Sequence, residues 1–187
     1  MFVSVLQSLW YFLPAGLANA CPIPISKCPV VDQFNTPLDF NRSFNGKRLL
    51  GQNKTIRGVV AAWVTGIVFV YLQVYLYQHH SFFQTVSLID YNKINPIVLG
   101  SLLGLGAIMG DSIKSFFKRQ LNITPGNSWI PFDQVDYIVG GLIFSLPYTQ
   151  QFLVSTFPFV QTFVIWIGLH FISTFIGYKL KLRSKPI

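Results

Sequence analysis

Tyr137–Tyr178, YIVGGLIFSLPYTQQFLVSTFPFVQTFVIWIGLHFISTFIGY, runs for 42 residues without one formal charge. A helix needs about 20 mostly apolar residues to cross the hydrocarbon core of a bilayer. The run is therefore long enough for two spans, with a tight turn near Ser155–Pro158. Moving towards the N-terminus, Ile94–Ile113 is a third apolar run and carries Asp111 near its end. Gly58–Gln78 is a fourth, and Met1–Ala20 a fifth, inside a charge-free stretch that lasts to Ser26. The expected architecture is an all-α integral membrane protein: one domain, residues 1–187, with five transmembrane helices at about 1–20, 58–78, 94–117, 135–153 and 158–180.

Composition agrees. Only 11% of the residues are charged, there is no Glu, and Phe occurs 18 times. An ordinary soluble domain carries roughly a quarter charged residues. Mean hydropathy is +0.48. These values exclude an ordinary cytosolic protein, a disordered tail and a disulfide scaffold.

The formal net charge is +8. In a soluble protein that excess would suggest nucleic acid; in a membrane protein, basic residues gather in cytoplasmic loops. With five spans, 13 of the 14 basic residues fall on one side, and Lys93 alone lies opposite. The N-terminus is thus expected outside and the C-terminus in the cytoplasm, with no nucleic-acid partner. The long polar loop from Pro22 to Arg57 is then cytoplasmic, with turn residues at Asn35-Thr36-Pro37 and Asn45-Gly46. Leu17-Ala18-Asn19-Ala20 has the small residues of a signal-cleavage site, but the positively charged segment that precedes one is missing. Cys21 and Cys28 have no zinc-site spacing and no nearby His, and read as unpaired thiols.

Three of the six acidic residues, Asp111, Asp133 and Asp136, border the same expected membrane face. Asp111, Lys114, Ser115 and Lys118 stand at i, i+3, i+4 and i+7, one face of a helix, with Ser112 at its edge. Asp133 and Asp136, at i and i+3, share a face where the fourth span should start. A structural ion pair of Asp111 with Lys114 or Lys118 is the plainer reading, as is Asp133 capping its helix. Carboxylates at this depth are costly, however, and three of them beside a basic cluster suit a divalent metal plus phosphates. Mg²⁺ takes one or two carboxylates and completes its shell with water and phosphate oxygens. Lys54-Thr55-Ile56-Arg57-Gly58 adds two cations and a hydroxyl. It lacks the Gly-x4-Gly-Lys frame of a P-loop, and by itself reads as a basic flank of the second span. Gly51 and Gly58 would let backbone N–H groups approach phosphates.

Together these motifs resemble a known family. Gly110-Asp111, Ser115-Phe116, Lys118-Arg119, Pro125-Gly126 and Asp133-Gln134-Val135-Asp136 are similar to the signature of the CDP-archaeol synthases, the short branch of the membrane CTP:phosphatidate cytidylyltransferases. Gly46-Lys47-Arg48-Leu49-Leu50-Gly51 and Lys54-Thr55-Ile56-Arg57-Gly58 look like that branch too. The larger phosphatidate enzymes have His-Gly-Gly before the second Asp motif and Arg where Gln134 stands; neither is present here.

The resemblance implies transfer of CMP from CTP to a membrane lipid phosphate, releasing pyrophosphate, with Mg²⁺ as cofactor. It implies Asp111, Asp133 and Asp136 as metal ligands, and Lys54, Asp111, Lys118, Asp133 and Asp136 as the catalytic set. Lys114 and Arg119 would join Lys54 and Lys118 in neutralising phosphate charge. Ser112, Ser115 and Gln134 would supply hydrogen bonds, and Gly126 a close backbone approach; Thr55, Arg57 and Pro125 complete the substrate-binding set. The expected place is the cell membrane, multi-pass, with the site on the cytoplasmic face; the sequence leaves a homo-oligomer open.

Two alternatives stay open: a cytidylyltransferase acting on phosphatidate or another lipid phosphate, and a transporter or ion-binding protein using Asp111. Transporters more naturally carry carboxylates near the midplane and in inverted repeats. The Asp-Gly-x2-Ala-Arg frame of a CDP-alcohol phosphotransferase is absent. His79 and His80 read as interfacial loop residues and His170 as a buried core residue. The spacing of Gly100/Gly104 and Gly106/Gly110 reads as close helix packing that sets Asp111 against a neighbouring helix. Trp10, Tyr11, Trp63, Trp129 and Trp166 read as interface anchors or packing.

Overall fold

The computed structural model describes residues 2–26, 28–149 and 159–182. Its long helices are α1 (Phe2–Ala20), α3 (Ile56–His79), α5 (Pro96–Gln120), α6 (Phe132–Phe144) and α7 (Phe159–Lys179), with short α2 (Pro22–Ile25) and α4 (Ser81–Thr85) between them. α3 and α5 are each long and apolar enough to cross a membrane. At 1.5 Å per residue they reach about 36 Å, more than the ~30 Å of hydrocarbon they must cover. The expected turn at 155–158 and the end of the expected helix 135–153 lie outside the described residues.

The helix ends follow local chemistry. Thr55 caps α3, its hydroxyl accepting from the Gly58 N–H at 3.3 Å. Asn95 caps α5 by accepting from Ile97 and Val98, with Pro96 in the first turn. α6 departs from expectation: it starts at Phe132 and closes at Phe144, followed by a turn at Ser145 and a helical piece at 146–149. The cause is Pro147, which has no N–H for the Ile143 carbonyl and whose ring clashes with it. Ser145 instead folds its hydroxyl back onto the Gly141 carbonyl at 2.7 Å. With 13 residues, α6 is too short to cross a bilayer alone.

α5 is the central helix, packed against α3 on one flank, α6 on the other, and α1. The core joins Leu99, Leu103 and Ala107 of α5 to Tyr11, Phe12 and Ala15 of α1, Ala62 and Val70 of α3, Tyr137 and Ile138 of α6, and Trp166 of α7. Both flanks of α5 are built from glycine. A Cβ on Gly66 of α3 would overlap the Gly100 carbonyl, and one on Gly140 of α6 would overlap the Gly106 carbonyl and lie 3.0 Å from the Gly110 nitrogen. The backbones therefore touch, as the small-residue spacing implied. Gly140→Ala must push α5 and α6 apart, at an expected cost of about 1–3 kcal/mol. A lower melting temperature in detergent would register it; an unchanged one would mean the helices do not meet there.

The loop between α1 and α3 is not merely irregular. Ser43–Phe44 (β1) and Lys47–Arg48 (β2) pair antiparallel across Asn45-Gly46, where both turn residues have positive φ, 51° and 72°. This is the two-residue hairpin chemistry of Asn-Gly. Among the described residues the hairpin and a single antiparallel bridge between Pro37 and Thr55 make up the β structure of an otherwise helical chain.

Candidate active site

The α5 stripe and the start of α6 meet where the glycine contact ends. Gly110 abuts the Asp136 carbonyl, so Asp111 and Asp136 are brought together by main-chain packing. Lys114 lies between the three carboxylates. Its ammonium is 3.0 Å from Asp111 Oδ1, 2.7 Å from Asp133 Oδ1 and 2.7 Å from Asp136 Oδ2. Lys54, arriving from the loop, pairs with Asp111 Oδ2. Lys118 Nζ is 3.0 Å from Asp133 Oδ2 and donates to the Asn127 carbonyl at 2.6 Å. Three ammoniums thus face three carboxylates, and all six side chains are largely enclosed, from 6% exposed for Asp136 to 23% for Lys54.

Asp133 does not cap α6. Its Oδ2 accepts from the Trp129 N–H at 2.6 Å, tying the preceding loop to the cluster.

The cluster forms part of the wall of a cavity of about 720 Å³, to which Lys54, Asp111, Lys114, Lys118, Asp133 and Gln134 all contribute. Thr55 and Arg57 line it as well, and Arg57 is also tied to Asp32 at 2.7 Å and to the Ser26 carbonyl at 3.2 Å. The volume falls within the usual range of small-molecule sites. A smaller adjoining space of about 110 Å³ is lined by Ser115, Arg119 and Pro125, and shares Lys54, Lys114, Lys118 and Gly126 with the first. Gly126 takes φ +86°, and a Cβ there would meet no atom within 4 Å, so its backbone is open to approach. Ser112 and Asp136 line neither space; Asp136 reaches the cavity only through Lys114.

Two features of the site stand out. Among the described residues no three His, Cys, Asp or Glu are arranged to hold a metal ion directly. Asp111, Asp133 and Asp136 converge instead on the Lys114 ammonium, because three buried carboxylates need a counter-charge and the four-carbon stem of Lys114 delivers one. The donor set, hard oxygens around one positive centre, still has the chemistry that Mg²⁺ selects. His170, expected in the core, lies in the wall of the larger cavity, its ring stacked on Tyr137 at 6.2 Å.

Sequence reasoning also missed Asn19, Gln52, Asn53, Asn127, Ser128 and Thr174 in that wall. The Gln52-Asn53 pair beside Lys54 and the Asn127-Ser128 pair after Gly126 were visible polar signals; Asn19 and Thr174 are single polar residues far apart in the chain. Two buried polar atoms beside the cavities, Gln134 Oε1 and Arg119 Nε, have no hydrogen-bond partner among the described residues. Such atoms are rarely left so in a folded protein, and a polar ligand would satisfy both. Trp129 packs on Phe132 with ring centres 4.3 Å apart.

Comparison with known proteins bears on this site. The whole chain, residues 1–187, matches a family model described as CarS-like, CDP-archaeol synthase. A CDP-archaeol synthase of Methanococcus maripaludis strain C7 is 34% identical over 188 residues, covering 98% of this chain and 97% of that protein. One from Methanocaldococcus jannaschii is 33% identical over 190 residues, 98% of each. A solved structure, described as an intramembrane enzyme for archaeal membrane lipids biosynthesis, superposes with TM-score 0.66 at 27% identity, covering 90% of this chain and 93% of that one.

Proposed function

Because the chain belongs to the CDP-archaeol synthase family, we propose that it transfers CMP from CTP to the phosphate of an archaeal membrane lipid. An oxygen of the lipid phosphate bonds to the α-phosphorus of CTP, the bond to the bridging α–β oxygen breaks, and pyrophosphate leaves. The products are a CDP-activated lipid and pyrophosphate. A phosphate dianion is already a nucleophile, so the reaction needs no covalent enzyme intermediate, only alignment and charge neutralisation.

The observation that carries this reading is the balanced cluster in which Lys54, Lys114, Lys118, Asp111 and Asp133 line the cavity and Asp136 backs Lys114. A triphosphate entering there draws the ammoniums to itself. The carboxylates they leave must then take another cation, so nucleotide and divalent metal are expected to enter together. Asp111, Asp133 and Asp136 are the residues that would hold Mg²⁺, which would absorb charge on the triphosphate. Arg119, with Ser115, Pro125 and Gly126, borders the smaller space, and Gln134 and Arg57 the larger one; we assign these residues to substrate contacts, with Thr55 acting mainly through the α3 cap and Ser112 in support of the α5 face.

The same reading places the site on the cytoplasmic face of a five-span protein, supported by 13 of 14 basic residues falling on one side of that topology. The transporter alternative loses ground because Asp133 and Asp136 sit in the first two turns of α6, next to a polar loop, and Asp111 lies in the C-terminal half of α5.

The deciding experiment is pyrophosphate release by detergent-purified protein, crossing CTP, dCTP and ATP with archaeal-type ether-lipid phosphate and phosphatidic acid, with and without Mg²⁺. Release that requires CTP, Mg²⁺ and the ether lipid is the expected result. Equal turnover of phosphatidic acid would widen the substrate class. No release from any pair, in protein with a cooperative melt, would overturn the assignment.

A further inference from the structure

Asp39 lies in the loop between α1 and α3, lines neither cavity, and has no part in the chemistry proposed above. Its side chain is nevertheless wholly enclosed. Its two oxygens gather five donors. Arg48 binds both, Nε to Oδ2 at 3.0 Å and Nη2 to Oδ1 at 3.1 Å. The Asn41 N–H donates to Oδ1 at 3.0 Å, and those of Leu50 and Gly51 to Oδ2 at 3.1 and 3.0 Å. Burial alone would raise the pKa of this carboxyl; the guanidinium and the three N–H groups outweigh it and hold the pKa of Asp39 below the usual carboxylate range. The group is therefore ionised wherever the protein works.

What this knot fixes is the backbone on both sides of Lys54. Gly51, held by Asp39 and turned at φ +103°, accepts from the Lys54 N–H at 3.3 Å. Leu38, the residue before Asp39, donates its N–H to the Lys54 carbonyl at 2.8 Å. Lys54 is thus bracketed by two bonds, one to Gly51, which Asp39 holds, and one to Leu38, the residue before Asp39, and from that bracket its ammonium reaches Asp111 on α5. The hairpin is docked at a second point, where Lys47 Nζ donates to the Gln120 carbonyl at the end of α5, 2.5 Å away.

We propose that Asp39 is a positioning residue for the transfer reaction, acting through Lys54: its carboxylate folds the loop so that the Lys54 ammonium is held at the substrate-phosphate end of the cavity. This rests on the reading that Lys54 acts on those phosphates. A loop that only needed order would be served by ordering anywhere along its length. Here two of the five donors, the N–H groups of Leu50 and Gly51, belong to the segment that delivers the one cationic side chain this loop contributes to the cluster.

The test is a double-mutant cycle on the full chain in detergent, reading kcat and KM for CTP, with a thermal melt to establish folding. Lys54→Met is expected to lower kcat/KM roughly 10- to 100-fold, the value of a lost charge-assisted hydrogen bond. Asp39→Ala is expected to lose a similar factor, and the double variant no more than Lys54→Met alone, because both remove the same placed ammonium. Asp39→Asn, which keeps an acceptor for the backbone N–H groups but not the charge pairing with Arg48, should fall between; it also carries the cycle if Asp39→Ala does not fold. Losses that multiply in the double variant would overturn the inference while leaving the functional reading intact. Unchanged kcat/KM in Lys54→Met would remove the role of Lys54 itself, and the inference with it.

Discussion

Asp136→Asn is expected to abolish turnover in a protein that still folds. Asn keeps the shape of the side chain, and the Lys114 ammonium retains Asp111 and Asp133 as partners at 3.0 and 2.7 Å. What disappears is one of three negative charges in a cluster where cations and anions balance. Charge stabilisation at such a site is worth several kcal/mol, which converts to a loss of roughly 10³-fold in kcat. The measurement is pyrophosphate release at saturating CTP and lipid, beside a melting curve. Wild-type turnover with a wild-type melt would remove Asp136 from the catalytic set.

Lys114→Met should show its largest effect on stability. Met is of similar length, so little packing is lost, but three enclosed carboxylates are left with only Lys54 and Lys118. Breaking a buried ion pair from one side costs about 3–5 kcal/mol. The melting temperature should drop steeply, and added Mg²⁺ should recover more of it than in the parent protein, since a ligand that binds only the folded state stabilises it. The unmodified melt in Lys114→Met would mean that the carboxylates are neutralised some other way. A fallen melt that Mg²⁺ does not raise would count against these carboxylates as a divalent-cation site.

Much of this arrangement was legible in the sequence. The apolar runs overlap α3 and α5: Gly58–Gln78 lies within Ile56–His79, and the expected helix 94–117 shares residues 96–117 with Pro96–Gln120. Helical spacing put Asp111, Lys114, Ser115 and Lys118 on one face. Spacing does not say where a long flexible side chain ends, however: it offered a pairing of Asp111 with Lys114, the resemblance assigned Lys114 to phosphate, and neither showed three carboxylates closing around it. Asp39 was invisible for a different reason. Its partners Asn41, Arg48, Leu50 and Gly51 come to it only once the Asn45-Gly46 hairpin has formed, and a loop has no period to reveal them. His170 was hidden by its apolar helix, where a single imidazole among Phe, Ile and Leu looks like core. The break after Phe144 follows from Pro147, which the length of an uncharged run does not reveal.

The glycine contacts on α5 also decide how the site responds to strain. Where helices meet through Leu and Phe, their spacing follows whichever rotamers those side chains adopt. Between Gly106, Gly110 and Gly140 there are no side chains to adjust, and the separation of α5 from α6 is the thickness of two peptide chains. Asp111 and Asp136 hang from opposite sides of that contact, one residue and four residues from its glycines. The separation of the backbones that carry them is therefore gauged by main-chain contact, which a warmer or thinner membrane changes little.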